Sequence, residues 1–301
     1  MTKAAREGGS VELGRVITAM VTPFKADGSL DLDGARTLAE HLVAHGSDGI
    51  VVCGTTGESP TLTHQEKHDL WSAVAQEVRG KASVIAGTGT YSTSESIELT
   101  RTAADAGADA VLLVTPYYSR PPQSGLLAHF KAIAESTKLP CILYDIPSRT
   151  ARKIEHPTLL ELAKVPNIVG VKDAAGDPAG TAKLAAEAPG FTIWSGDDAL
   201  TLPMLAIGGI GVVSVASHLV GHRIAEMIAA HDKGDVEGAA RIDHELRPIF
   251  EVLFITANPI PLKAALSMVG LPAGPVRLPL VEATDAERAR IASVLESLGL
   301  I

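Results

Sequence analysis

The 301-residue chain is 46% hydrophobic and 20% charged, with a formal net charge of -9 at pH 7. Such a composition belongs to a soluble globular protein with enough apolar residues for one large core or two smaller ones. The acidic surplus argues against a nucleic-acid or anionic-membrane surface, because both need clustered cations, and leaves small-molecule chemistry as the default.

From the amino terminus, residues 1–9 mix Lys3, Arg6 and Glu7 with small side chains and have no apolar stretch of the secretory kind. No run approaches the ~20 apolar residues of a membrane span. A cytoplasmic location is expected, with residues 1–13 as a flexible tail. Residues 16–21 form the first β-like run, followed by Thr22-Pro23-Phe24 and an amphipathic stretch at 32–45. The second run, 49–53, opens into Gly54-Thr55-Thr56-Gly57-Glu58-Ser59. Its two glycines either let backbone N–H groups approach a small carboxylate beside two hydroxyls, or serve a tight strand-to-helix turn capped by Ser59 or Thr63. Helical periodicity at 64–79 leads to a third run at 83–86, then to a helix at 94–106 and a fourth run at 110–115, which ends in Thr115-Pro116-Tyr117-Tyr118.

A helix at 126–137 precedes the fifth run, 141–144. Cys141 here and Cys53 earlier each sit among aliphatic residues and are read as buried thiols rather than a disulfide. Tyr144 ends the run, and its phenol is either a packed core side chain or a proton shuttle. Arg149, in the following Pro-containing loop, suits bidentate binding of a carboxylate unless it is merely solvated. After a helix at 158–164, the sixth run, 168–171, ends in Lys172. Most lysines stay in water, but an amine where a buried strand opens into a loop can be desolvated, and a neutral amine condenses with a ketone as a Schiff base.

Runs at 192–194 and 211–215 bring the count to eight. Asp197-Asp198 after the seventh is read as a helix cap, and Gly208-Gly209-Ile210-Gly211 before the eighth as a turn rather than a phosphate cradle. The histidine pairs His41/His45, His64/His68 and His218/His222 have helical i, i+4 spacing, but none carries the glutamate of His-Glu-x-x-His or a third ligand. Exposed helix faces are expected for them, and no metal. Beyond residue 222 only helical pattern continues, at 225–231, 236–254, 261–269 and 285–298, broken by Pro259, Pro261, Pro272, Pro275 and Pro279.

Eight runs, most of them continuously apolar and each followed by helical pattern, are what a closed parallel barrel requires, since both faces of every strand are covered. The expected fold is a (β/α)8 TIM barrel over residues 14–222 with a C-terminal helical extension over 223–301. A doubly wound open sheet is the rival, but it would more often place Gly-x-Gly-x-x-Gly where this chain has Thr22-Pro23-Phe24. In such a barrel the polar residues that follow the strands form the site.

The motifs at 54–59 (GTTGES), 115–118 (TPYY), 144–150 (YDIPSRT), 169–173 (VGVKD) and 195–198 (SGDD), together with Asn258-Pro259-Ile260-Pro261-Leu262-Lys263, resemble the dihydrodipicolinate synthase family of pyruvate-dependent class I aldolases. The resemblance implies Lys172 as Schiff-base lysine, Tyr144 as proton-transferring tyrosine, and Thr55 with Tyr118 as a hydroxyl relay. It further implies Thr56, Val213 and Gly196 beside pyruvate and Arg149 at the carboxylate of the aldehyde. The activity it implies is condensation of pyruvate with L-aspartate 4-semialdehyde in diaminopimelate and lysine biosynthesis, without metal or organic cofactor. Because the family's relay tyrosine completes the neighbouring subunit's site, a homotetramer built as a dimer of dimers is implied as well.

Two departures stand out: Asp173-Ala174-Ala175-Gly176 where many members have Glu-Ala-Thr-Gly, and changes in the polar cluster that binds free lysine in feedback-sensitive members. Ser59, His64, Glu95 and Tyr117 match that cluster, whereas Lys67 replaces a typical histidine and Tyr91 a typical asparagine. A cation at 67 should repel a cationic effector, so weak lysine inhibition is expected. Rival activities are those of sialic-acid lyase and 2-keto-3-deoxy sugar-acid aldolases, which share the lysine, the tyrosine and the threonine pair but for which Arg149 is less suited. A non-catalytic barrel used as a binding module would be expected to have lost Lys172 or Tyr144.

Overall fold

The computed structural model describes residues 13–301. Eight parallel strands, β1 (Val16–Ala19), β2 (Gly49–Val52), β3 (Ser83–Gly87), β4 (Ala110–Val114), β5 (Cys141–Asp145), β6 (Ile168–Asp173), β7 (Thr192–Ser195) and β8 (Gly211–Ser214), close into a barrel in chain order, with β8 pairing back onto β1. The strands are buried along nearly their whole length, and mostly apolar until their C-terminal ends, because successive residues serve two different cores. Ile17, Val51, Ile85, Leu112, Ile142, Tyr144, Trp194 and Val213 fill the barrel, while Val16, Ile50, Val84, Val111, Leu143 and Val171 point outward to the helices.

The helices are α1 (Leu32–Ala44), α2 (His64–Glu77), α3 (Thr93–Asp105), α4 (Gln123–Glu135), α5 (Pro147–Thr150), α6 (His156–Leu162), α7 (Pro178–Glu187), α8 (Thr201–Leu205), α9 (Ser217–Asp232), α10 (Val236–Val252), α11 (Ile260–Met268) and α12 (Asp285–Ser297). Their starts are chemically marked. Asp31, Ser92, Asp177 and Asp235 accept N–H groups of the first turns of α1, α3, α7 and α10, and Thr63 with Glu66 and Thr284 with Glu287 form reciprocal capping boxes on α2 and α12.

Several expectations need correction. The sequence pattern set no bounds for helices α5, α7 and α8: two are single turns, and α7 (PAGTAKLAAE) is too rich in alanine and glycine to show a clear apolar stripe. The expected boundary at 222/223 falls inside α9, which packs on β1 and α1 as the eighth helix of the barrel wall. The expected tail at 1–13 lies outside the described residues except for Leu13, which is buried against the barrel interior. The extension, α10 to α12, shares one continuous apolar core with the barrel helices through Leu246, Ile249, Phe250, Leu262, Ile291 and Leu295. Among the described residues no helix is long and apolar enough to cross a membrane.

Candidate active site

At the C-terminal end of the barrel, β5 and β6 run side by side in a register that pairs Tyr144 with Lys172, and β7 adds Trp194 at the same level. Lys172 and Tyr144 are each only 5% exposed. The Lys172 Nζ lies 4.3 Å from the centroid of the Tyr144 ring, so the nitrogen meets an aromatic π-face rather than a carboxylate. The strand below this lysine reads Gly170 for a reason: a Cβ there would stand 2.8 Å from Trp194 Cζ3 and closer still to the Thr192 carbonyl. Glycine therefore admits the Trp194 ring to the barrel interior, where its Nε1 donates to the Gly14 carbonyl at 2.9 Å. Thr115, at the end of β4, holds Tyr144 from the other side, donating from both its N–H and its hydroxyl to the Tyr144 carbonyl.

A cavity of about 480 Å³ opens beside Tyr144, and Thr55, Tyr144 and Arg149 line it, whereas Lys172, Thr56, Gly196 and Val213 are not among its lining residues. Arg149 lies on α5 with its side chain exposed to the cavity. Val213 faces the interior from β8. Gly196 follows β7 and donates its N–H to the Asp173 carbonyl at 2.7 Å; a Cβ on it would strike Ala174 at 2.8 Å, so only glycine lets this turn approach the residue after Lys172. Thr56 is buried, its Oγ1 accepting from Asn258 Nδ2 at 2.9 Å. Tyr118 is not brought to the site of its own chain: it is 95% exposed on left-handed backbone, with φ of 69°.

The same cavity is lined by Ser59, His64, Lys67, Tyr91, Glu95 and Tyr117, the cluster singled out for lysine feedback. Lys67 is buried, and desolvation pushes its ammonium down from the usual value against the pull of Cys53 and Glu95. Burial by itself would raise the Glu95 carboxyl, but hydrogen bonds from His64 and Thr90 and the Lys67 charge bring it below the ordinary range. Burial raises the Tyr117 phenol, whose ring packs edge-on against Tyr91 at 5.3 Å.

The two cysteines are buried as free thiols, as expected. Of the acidic pair, Asp197 does cap the short turn that follows it, but Asp198 does not: it is fully enclosed and receives the Ser214 hydroxyl and the N–H groups of Val215 and Ala216, tying the β7 loop to the end of β8. Gly208 forms a turn before β8, with φ of 105°. His218 is not on an exposed face. It is enclosed, with its Nδ1 toward the Val215 carbonyl and its Nε2 accepting from the Val21 N–H at 3.2 Å.

Sequence reasoning missed the residues that hold the β2 loop. Glu58, in left-handed backbone with φ of 55°, is buried beside Lys263 of α11, whose Nζ is 2.7 Å from its Oε1. A lone lysine inside the apolar helix IPLKAALSM was the available signal.

An eight-stranded parallel barrel with a buried lysine at the end of its sixth strand, a tyrosine against it and a cavity of about 480 Å³ beside that tyrosine is the arrangement of a Schiff-base lyase of the class I aldolase type. Residues 12–298 match the dihydrodipicolinate synthetase family, and the chain belongs to it. It is 56% identical to the 4-hydroxy-tetrahydrodipicolinate synthase of Moorella thermoacetica over 292 residues, 97% of this chain and 100% of that one. Among solved structures, the enzyme of Cyanidioschyzon merolae with lysine bound superposes with a TM-score of 0.95 at 48% identity, covering 96% of this chain and 99% of that one. Dihydrodipicolinate synthase DapA-2 of Bacillus anthracis gives a TM-score of 0.94 at 46% identity, covering 95% and 99%.

Proposed function

We propose that the chain condenses pyruvate with L-aspartate 4-semialdehyde to 4-hydroxy-tetrahydrodipicolinate, in diaminopimelate and lysine biosynthesis. The observation that carries the reading is the Lys172 amine, buried and set against the ring of Tyr144, which in turn lines the cavity. In this reading the Lys172 nitrogen attacks the keto carbon of pyruvate, and loss of water leaves an iminium conjugated to the carboxylate. A methyl proton then departs, the pair that held it becoming the enamine double bond, and the enamine carbon attacks the aldehyde carbon of the second substrate. The amino group of that substrate then adds to the regenerated iminium carbon, closing the ring and expelling the Lys172 amine as the leaving group. Tyr144 takes and returns protons, because a phenol both donates and accepts. Thr55 and Tyr118 extend that relay, while Thr56, Gly196 and Val213 border the pyruvate. Arg149 faces the cavity where the carboxylate of the aldehyde would enter, which suits its planar fork. The amine itself is the electron sink, so the chemistry calls for no cofactor.

The exposed ring of Tyr118 supports assembly. An aromatic held on left-handed backbone and left in water by its own chain is suited to a neighbour's site, and a homotetramer built from such dimers fits it. A cytoplasmic location goes with this reading.

Turnover with pyruvate plus aspartate semialdehyde, compared with cleavage of sialic acid and 2-keto-3-deoxy sugar acids, tests the assignment. Faster condensation supports it, and faster sugar-acid cleavage replaces it with the related aldolase activity.

A further inference from the structure

The loop that carries Thr55 and Thr56 is gripped by the C-terminal extension. Asn258 donates to the Thr56 hydroxyl. Glu58, whose carboxylate is 1% exposed, lies 2.7 Å from Lys263 Nζ, itself 2% exposed, and its Oε2 accepts the Arg277 N–H at 2.9 Å. Lys263 also donates to the Pro275 carbonyl at 2.8 Å, and both its Nζ and the Arg277 guanidinium sit about 4 Å from the centroid of Phe24, in the loop after β1. Arg277 continues outward to the Thr61 carbonyl and to Glu66, the capping residue of α2.

Glu58 is therefore held at Oε2 by the Arg277 N–H and at Oε1 by the Lys263 charge, an ion pair with no hydrogen bond to that oxygen, while its backbone, and that of Cys53 at the other end of the loop, occupies the left-handed region that side chains with a Cβ avoid. A buried charge pair is a poor way to gain stability, since desolvation offsets most of the attraction. It is an effective way to fix a geometry, because a buried charge tolerates only the arrangement that pairs it. We propose that Lys263, acting through Glu58, is a positioning residue for Thr55 and Thr56. The extension thus sets the hydroxyls of the β2 loop relative to Tyr144 and Lys172. This rests on the pyruvate-condensing reading of the site.

The test is the double variant Glu58→Gln/Lys263→Met, which removes both buried charges and leaves neither unpaired. A KM for pyruvate raised at least about fivefold and a kcat lowered at least about tenfold are expected, since a loop shift of about 1 Å is enough. Borohydride trapping at saturating pyruvate should still label every chain on Lys172. Parental KM and kcat in the folded variant would overturn the proposal. So would an unchanged KM with kcat falling in proportion to the trapped fraction, which is the mark of a purely structural loss. If the double variant does not fold, Glu58→Gln alone, which keeps an oxygen for the Arg277 N–H, is read by the same two criteria. Failure of the parent chain to trap pyruvate refutes instead the catalytic reading, and is distinct from either outcome.

Discussion

Tyr144 and Lys172 are register partners on adjacent strands, and the lysine nitrogen lies 4.3 Å from the centre of the tyrosine ring. Both project into the barrel because each falls on the inward parity of its strand, so the contact is a product of register rather than of flexible loops. A one-residue slip of β6 would turn the amine outward among the helices.

Tyr144→Phe keeps this packing and removes only the hydroxyl. Its kcat is expected to fall by about 10²–10⁴, the usual worth of a positioned acid–base group. Steady-state kinetics check this, and a fall of less than about threefold would remove Tyr144 from proton transfer.

Tyr118 bears on the assembly. Tyr118→Phe and Lys172→Ala are each expected to be severely impaired as pure proteins. If the tyrosine serves its neighbour, a dimer of one chain of each kind contains one site with both native residues, so mixed assemblies should recover activity. Coexpression with two affinity tags isolates them, and absence of recovery would return Tyr118 to its own chain.

Free lysine should inhibit weakly. Lys67 is buried in the cavity wall beside Glu95, occupying with a cation the region where a cationic effector would sit. Turnover at millimolar lysine should stay close to the uninhibited rate, and strong suppression would show that Lys67 moves aside.

Asp145 supplies a pH test. Burial, reinforced by the Asp173 carboxylate, pushes its pKa up to about 7, whereas in the unfolded chain an aspartate titrates near its ordinary value of about 4. The folded state thus holds the proton more tightly, giving stability that is complete below about pH 4 and lost as the pH rises through 7. Asp145→Asn keeps an oxygen for the Ile154 N–H, so it should melt a few degrees above the parent at pH 8, with the gap closing toward pH 4. A gap independent of pH would contradict this.

The barrel was legible because parallel strands covered on both faces read as unbroken apolar runs, and Lys172 and Tyr144 were legible because each ends such a run. Helix α7 escaped because alanine and glycine carry little hydrophobic contrast. Asp198 looked like a cap beside Asp197, and only the fold shows that it reaches across to β8. The grip of Lys263 and Arg277 on Glu58 joins residues at opposite ends of the chain, and no local pattern encodes such a pairing.

The central claim is that the Lys172 nitrogen forms a bond to the keto carbon of pyruvate. Borohydride reduction in the presence of pyruvate, followed by peptide mass analysis, should place one reduced pyruvate adduct on the peptide containing Lys172 and none in Lys172→Ala. An unmodified Lys172, or an adduct that persists in the alanine variant, would contradict the account.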